Sequence, residues 1–353
     1  MFQSIGSSGK SMATYMKPSI IVIGGGTGNF SVLSGLKAYD LGLDLTAVVA
    51  MSDSGGSSGR LRDELGQLPP GDIRQCLVAL AGDAEQSAML RQLFTHRFSM
   101  GEGLVGHSVG NLLLAALTEI TGAHDRAIEA ASRLLNIRGR VLPVTLSDSH
   151  LHAMLSDGRE LEEEALIDTR GTEDGVEIDY VFLSPPAYAF PPVLEAIRSA
   201  DLVVFAPGDL YTSLVPNLLA EGVCEAIRSS KARVVYITNL MTKPGETDGF
   251  TAERFVTEVN HYIGLKSRID VVVVNSAKFS NRVQQRYMQL GARPVEYDIA
   301  KMKALVPWVV ESDLLAEGIF VRHDSEKIGS AVMALIPRLV SDEEALGGGP
   351  AGG

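Results

Sequence analysis

The sequence predicts an α/β fold, a Rossmann-like, doubly wound and mainly parallel sheet with a helical insertion. Three observations predict it. Short, largely apolar runs at residues 20–23, 45–50 and 202–206 read as strands buried on both faces. Helical patterns alternate with these runs, the order that builds parallel sheets. Each run also ends in a polar, glycine-containing loop, and open α/β sheets bind ligands at the carboxyl ends of their strands.

Composition sets the outer limits. The 353 residues are 45% hydrophobic and 21% charged, an ordinary globular mixture long enough for a large core. A formal charge of −12 argues against a general nucleic-acid surface, which needs basic residues. No apolar run has the length to span a bilayer. Residues 1–17 are rich in Ser, Gly and Met and lack a continuous apolar segment, so a disordered leader is expected there rather than a secretory signal. A flexible tail is expected at 341–353, with a single α/β domain at 18–335 and its helical insertion at about 83–138. Cys76 and Cys224, far apart and inside apolar helical patterns, read as buried thiols suited to a reducing cytoplasm.

In chain order, the run at 19–23 leads into Gly24-Gly25-Gly26-Thr27-Gly28, with a helix expected from near Asn29. The glycines permit a tight turn, and a helix N-terminus offers free N–H groups to a phosphate. Ser31 fills the third glycine position of a dinucleotide fingerprint, and no Gly-Lys-Ser/Thr follows to make a P-loop. A second strand at 45–50 runs into the stretch 52–72, where Ser52, Ser54, Ser57, Ser58, Gly55, Gly56 and Gly59 crowd around Asp53, with Arg60 and Arg62 close behind. Glycines let backbone amides approach an anion, hydroxyls add donors and arginines pair with phosphate. A flexible linker is the bland alternative, but the stretch lies between two apolar elements. Asp72, after Pro69-Pro70-Gly71, is placed as an N-cap or a ligand contact.

Residues 83–135 read as helical throughout. Within them Gly106-His107-Ser108-Val109-Gly110 matches the nucleophile-elbow pattern of serine hydrolases. An elbow needs a strong preceding strand, and only Leu104-Val105 stand there, so the reading preferred is a helix start whose His107, Ser108 and Asn111 line the crevice. Strands are expected over 141–155 and 178–183, joined by an acidic surface segment around 160–164. The run at 202–206 ends in Pro207-Gly208-Asp209-Leu210-Tyr211-Thr212-Ser213, the run at 233–238 ends in Asn239 and a loop carrying Lys243, and 271–274 forms a further strand.

These residues together resemble the gluconeogenesis factor family, a branch of the 2-phospho-L-lactate transferase-like (CofD-like) superfamily. The resemblance rests on Gly24–Gly28, on Asp53-Ser-Gly-Gly-Ser-Ser-Gly-Arg-Leu-Arg62 and on Pro69-Pro-Gly-Asp-Ile-Arg74. It continues in Gly106-His-Ser-Val-Gly-Asn111 with the helix to Glu119, in Leu210-Tyr-Thr-Ser213 with Pro216-Asn217, and in Asn239-Leu-Met-Thr-Lys-Pro-Gly-Glu-Thr247. It implies a CofD-like fold and a cytoplasmic protein needed for cell shape and growth on gluconeogenic carbon sources. Members are thought to bind uridine diphosphate sugars and to regulate cell-wall precursor supply, with no established catalysis. Related transferases move a phospholactyl group from a guanylylated donor to a deazaflavin alcohol with magnesium.

The ligand-site residues expected on this basis are Gly24, Gly25, Gly26, Thr27, Gly28, Asp53, Gly55, Gly56, Ser57, Ser58, Arg60, Arg62, Asp72, His107, Asn111, Gly208, Asp209, Tyr211, Thr212, Ser213, Asn239 and Lys243. Two departures from the family pattern bear on metal binding. Ser54 stands where a second acid is common, and Asp209 where a serine is usual, so Asp53 and Asp209 are the candidate ligands of a magnesium ion. Three readings follow: a nucleotide-sugar binding regulator, a magnesium-dependent phospholactyl-type transferase and, remotely, a serine hydrolase. A homodimer and a regulatory protein partner are also expected.

Overall fold

The computed structural model describes residues 17–39, 42–82, 85–171 and 175–336. Apart from Lys17, the expected leader and tail therefore lie outside the described residues. The strands are β1 (Ser19–Gly24), β2 (Asp44–Val49), β3 (Arg140–Pro143), β4 (His150–Leu155), β5 (Glu160–Glu162), β6 (Ile178–Ser184), β7 (Leu202–Phe205), β8 (Arg233–Ile237), β9 (Val271–Asn275) and β10 (Trp308–Ser312). Seven of them form one sheet in the order β10-β9-β8-β7-β1-β2-β3, and every neighbouring pair is parallel.

The apolar runs explain the sheet's position. Ile20, Ile21, Val22 and Ile23 are fully buried, as are Val203, Val204 and Phe205 and the four valines of β9. A strand with no polar face must be covered on both sides, and helices do this here. The first six are α1 (Gly26–Lys37), α2 (Gly56–Leu65), α3 (Gly71–Leu80), α4 (Glu85–Thr95), α5 (Val109–Thr121) and α6 (His124–Leu134). Helix α1 crosses the helix Ser325–Met333 at two glycines. A Cβ on Gly35 would lie 1.9 Å from the Ser325 carbonyl oxygen, and one on Gly329 would lie 2.7 Å from the Gly35 carbonyl.

Strand order reverses at β1, which has β2 on one side and β7 on the other. The chain thus builds outward in two directions from the β1/β7 boundary, the place where such sheets open a crevice. Buried Asn29 fixes the carboxyl ends of β1 and β2, since its Nδ2 donates to the Gly24 oxygen at 3.3 Å and the Val48 oxygen at 3.1 Å.

Several elements differ from the sequence expectation. Helix α1 starts at Gly26 rather than near Asn29, so most of the glycine turn is already helical. Within the Gly/Ser stretch, residues 56–65 form α2, with Gly66 in the left-handed conformation at its end. The run at 141–155 is divided: β3 joins the large sheet, whereas β4 pairs antiparallel with β5 and β6 in a separate three-stranded sheet. Strand β4 alternates buried and half-buried residues, the pattern of a sheet covered on one face. Strand β10, short and following Pro307, is not anticipated from sequence. A short helix, α7 (Glu164–Asp168), follows β5 inside the acidic segment.

Candidate functional site

A crevice of about 790 Å3 opens at the carboxyl edge of the sheet. Thr27 and Gly28 line it from the turn after β1, Pro207, Gly208, Asp209 and Ser213 from the turn after β7, and Asn239, Leu240 and Met241 from the turn after β8. Asp72, Arg74 and Gln75 form a wall from the start of α3, and Tyr287, Arg322, His323 and Ser325 close the far side.

Backbone geometry draws the two halves of the sheet together here. A Cβ on Gly28 would lie 1.8 Å from the Pro207 carbonyl oxygen, so the β1 and β7 turns touch only because this residue has no side chain. Gly25 and Gly26 leave similar room for Ser213 and Asp72. Helix α1 has no capping side chain and no acid in its first turn. The Gly26 amide bonds Asp72, while those of Thr27 and Gly28 have no hydrogen-bond acceptor among the described residues. They present the positive end of the helix to the crevice.

Two carboxylate clusters border this edge. In the first, burial and the neighbouring Asp53 push Asp72 up to about 7 from its ordinary 3.8. Burial and Asp53 likewise push Glu164 up to about 8. Asp53 accepts the Gly55 amide at 2.9 Å, in a loop packed so tightly on α3 that a Cβ on Gly71 would lie 2.8 Å from Asp53 Oδ2. Asp72 is not the N-cap of α3: Pro70 holds that position, and Asp72 sits in the first turn. In the second cluster, Lys243 Nζ bridges Asp168 at 2.7 Å and Asp209 at 3.1 Å. Those two carboxylates hold the lysine above its ordinary value against the effect of burial. Glu246, pushed up to about 8 by burial and by Asp209, accepts the Tyr211 amide at 2.6 Å.

Helix α7 joins the clusters. At its N-terminus Ser54 Oγ accepts the Ala165 amide at 3.0 Å, while Glu164 accepts the Ser54 amide at 3.2 Å, a reciprocal cap. At its C-terminus Asp168 holds Lys243.

The expected site residues separate into three groups. Thr27, Gly28, Asp72, Gly208, Asp209, Ser213 and Asn239 line the crevice. Gly24, Gly25, Gly26, Asp53, Gly55 and Gly56 form the turns immediately behind it. Others are committed elsewhere. Arg62 is buried and donates to Asp148 at 2.6 Å and the Ser149 carbonyl at 2.7 Å, and Arg60 donates to the Val105 carbonyl at 2.8 Å. Tyr211 and Thr212 are buried in a π-helical turn, Leu210–Leu214, and Ser58 accepts the Gly71 amide. Lys243 is occupied by its two aspartates. Ser57, His107 and Asn111 form a buried network behind α3.

The serine-hydrolase pattern has no triad geometry. Ser108 is fully buried and serves as the N-cap of α5, accepting the Asn111 amide, and His107 contacts Ser57 instead. The proposed metal pair also fails to fit, because Asp209 is neutralised by Lys243. Asp53 and Asp72, near enough for the first to raise the second, are the pair whose chemistry suits a magnesium ion with phosphate oxygens and water. Among the described residues no three His, Cys, Asp or Glu side chains converge as a metal site.

Sequence reasoning missed Arg74, Gln75, Tyr287, Arg322 and Ser325 as lining residues. Arg74 stood inside a recognised motif, whereas residues 321–325 reach the crevice only through tertiary packing. His323 is held neutral, pushed down to about 4 by burial, beside the Thr238 carbonyl at 3.1 Å. Among the described residues no helix is long and apolar enough to cross a membrane.

The profile of the family described as 2-phospho-L-lactate transferase CofD matches residues 20–315. The gluconeogenesis factor of Bacillus subtilis is 42% identical over 322 residues, covering 91% of this chain and 98% of that protein. The gluconeogenesis factor of Halalkalibacterium halodurans is 43% identical over 327 residues, covering 92% and 98%. A crystal structure of a Bacillus halodurans protein of the UPF0052 family superposes with a TM-score of 0.82 at 43% identity, covering 90% of this chain and 99% of that one. The chain therefore belongs to the gluconeogenesis factor family within the CofD superfamily.

Proposed function

We propose that the crevice binds a uridine diphosphate sugar, or a related nucleoside diphosphate sugar. The protein then acts in the cytoplasm as a regulator of cell-wall precursor supply and cell morphogenesis during gluconeogenic growth. The observation that carries the binding reading is the crevice's place at the β1/β7 reversal, between two glycine turns that touch through Gly28 and Pro207. Unused amides at the start of α1 suit a diphosphate, and a volume of about 790 Å3 suits a ligand of nucleotide-sugar size. Asn239, anchored by its Nδ2 on the Gly208 carbonyl at 2.7 Å, is placed to meet a ribose or base.

Isothermal titration with UDP-glucose, GDP and uridine tests this reading. Saturable heat with UDP-glucose is expected, and weaker heat with uridine. Absence of binding to any nucleoside diphosphate at millimolar concentration would overturn it.

A second reading, a magnesium-dependent phospholactyl-type transferase, is favoured by one observation, the adjacency of Asp53 and Asp72 beside the crevice. It requires magnesium-dependent consumption of a guanylylated phospholactate donor in the presence of a deazaflavin alcohol. An unchanged donor would dispose of it.

A further inference from the structure

We propose that Arg74 is the anchor for the ligand's diphosphate, and that the segment Gly106–Asn111, which imitates a nucleophile elbow, exists to hold Arg74 in place. The proposal rests on the nucleoside diphosphate reading and adds to it a specific recognition group and its support.

Arg74 lines the crevice from the first turns of α3. Its Nε donates to Asn111 Oδ1 at 2.9 Å. Among the described residues its two terminal nitrogens have neither hydrogen-bond acceptor nor carboxylate partner. Of the cations expected at this edge, Arg60 and Arg62 are spent on carbonyls and Asp148, and Lys243 on two aspartates; Arg322 also lines the crevice, from its far side, against the Phe320 ring. A guanidinium with one edge fixed and its terminal nitrogens unused matches a diphosphate, whose paired oxygens accept such donors together.

The fixation is elaborate for a side chain with no structural partner of its own. Asn111 is buried, and its Nδ2 donates to Ser57 Oγ at 3.1 Å. Ser57 Oγ also shares a hydrogen bond with His107 Nδ1, 3.0 Å away. Arg74 sets the amide orientation of Asn111: its Nε can only donate and so faces the oxygen, which leaves the nitrogen toward Ser57. Ser108 Oγ accepts the Asn111 amide and pins the backbone. Gly110 completes the seat, because a Cβ there would lie 2.7 Å from Arg74 Cδ and 2.9 Å from its Cγ. The glycine opens a channel for the arginine stem, and the next residue grips its head.

The network also explains why the charge remains useful. Burial and the neighbouring Arg97 work against the guanidinium's charge and hold it below its ordinary value, while Asp72 and Asp53 favour the charge without either forming an ion pair with it. A ligand diphosphate can therefore take the position without displacing a bonded carboxylate.

The test is titration of wild type, Arg74→Gln, Asn111→Ala and the double variant with UDP-glucose, inorganic pyrophosphate and uridine. Arg74→Gln is expected to weaken both diphosphates by about tenfold or more, the value of a charge-assisted pair, and to leave uridine unchanged. Asn111→Ala is expected to weaken them less, and the double variant to match Arg74→Gln alone, because Asn111 acts only through the arginine. Equal diphosphate binding by wild type and Arg74→Gln would overturn the anchor while leaving the nucleotide reading intact. An equal loss of uridine would also overturn it, since the residue would then only shape the crevice. An additive double variant would remove the positioning role. Pyrophosphate separates the two proposals: Arg74-dependent pyrophosphate binding without any nucleotide binding supports the anchor and defeats the nucleotide reading. If wild type binds neither diphosphate, both fail.

Discussion

The two carboxylate clusters that flank the crevice balance their charge differently. On the β7 and β8 side, Asp168 and Asp209 share Lys243, so the cluster carries its own cation. On the β1 and β2 side, Asp53, Asp72 and Glu164 form no ion pair among the described residues, and burial and the neighbouring Asp53 push both Asp72 and Glu164 upward. The first cluster behaves as a strut, holding the β8 loop against α7. The second stores negative charge beside unused amides and the Arg74 guanidinium, where a bound anion or cation changes the balance. Permanent pairing marks the scaffold, and unpaired charge marks the working face.

The contact between the two sides is the place to break this arrangement outright. Gly28→Ala would drive a methyl group into the Pro207 carbonyl, a backbone atom that cannot swing aside. A loss of about 3 kcal/mol or more is expected, read as a lowered denaturation midpoint or failure to accumulate soluble protein.

Removing the strut's cation should cost less. Lys243→Met leaves Asp168 and Asp209 without neutralisation, but Lys243 is 27% exposed and water shares the burden. About 1–2 kcal/mol is expected at neutral pH. The defect should shrink as pH falls, since the abandoned carboxylates can then take protons. Urea melts of wild type and variant at several pH values provide the measurement.

On the unpaired side the sign reverses. Asp72 binds its proton more tightly in the folded protein, with about 7 against an ordinary 3.8. Its stabilising contribution is full below the lower value and disappears as pH rises through the higher one. Asp72→Asn should therefore flatten the stability profile between those limits and gain about 1 kcal/mol above pH 7, discounted for partial solvent access. A variant less stable than wild type at pH 8 would show that Asp72 is paired after all.

Much of this was readable in the chain. The runs in β1, β7 and β9 have no polar face in their apolar stretches, which leaves little choice but a covered parallel sheet, and the glycine-bearing loops after β1, β2 and β7 marked the working edge. The signal failed where tertiary packing decides. Arg60 and Arg62 both follow the Gly/Ser stretch closely, yet α2 carries one to the Val105 carbonyl and the other to Asp148, both away from the crevice. Asp72 precedes the apolar helical run as an N-cap would, but α3 starts one residue earlier, at Gly71, with Pro70 at its N-cap. The 141–155 run held two strands because nothing in its hydropathy announces a change of sheet. Residues 321–325 contribute through the crossing at Gly35 and Gly329, a contact with no local signature.

The reversal of strand order at β1 also governs when the protein can finish folding during synthesis. β1 can pair with β2 as soon as that neighbour emerges, but its other partner, β7, is far downstream; the Ser19 amide bonds Asp201 across 182 residues. At about 5–20 residues per second, the edge of β1 facing β7 waits roughly 10–40 s for its partner. Until then this apolar strand is a bare sheet edge, a surface apt to recruit another nascent chain. The same topology that opens a ligand crevice in the finished protein gives the unfinished one its longest exposure to misassembly.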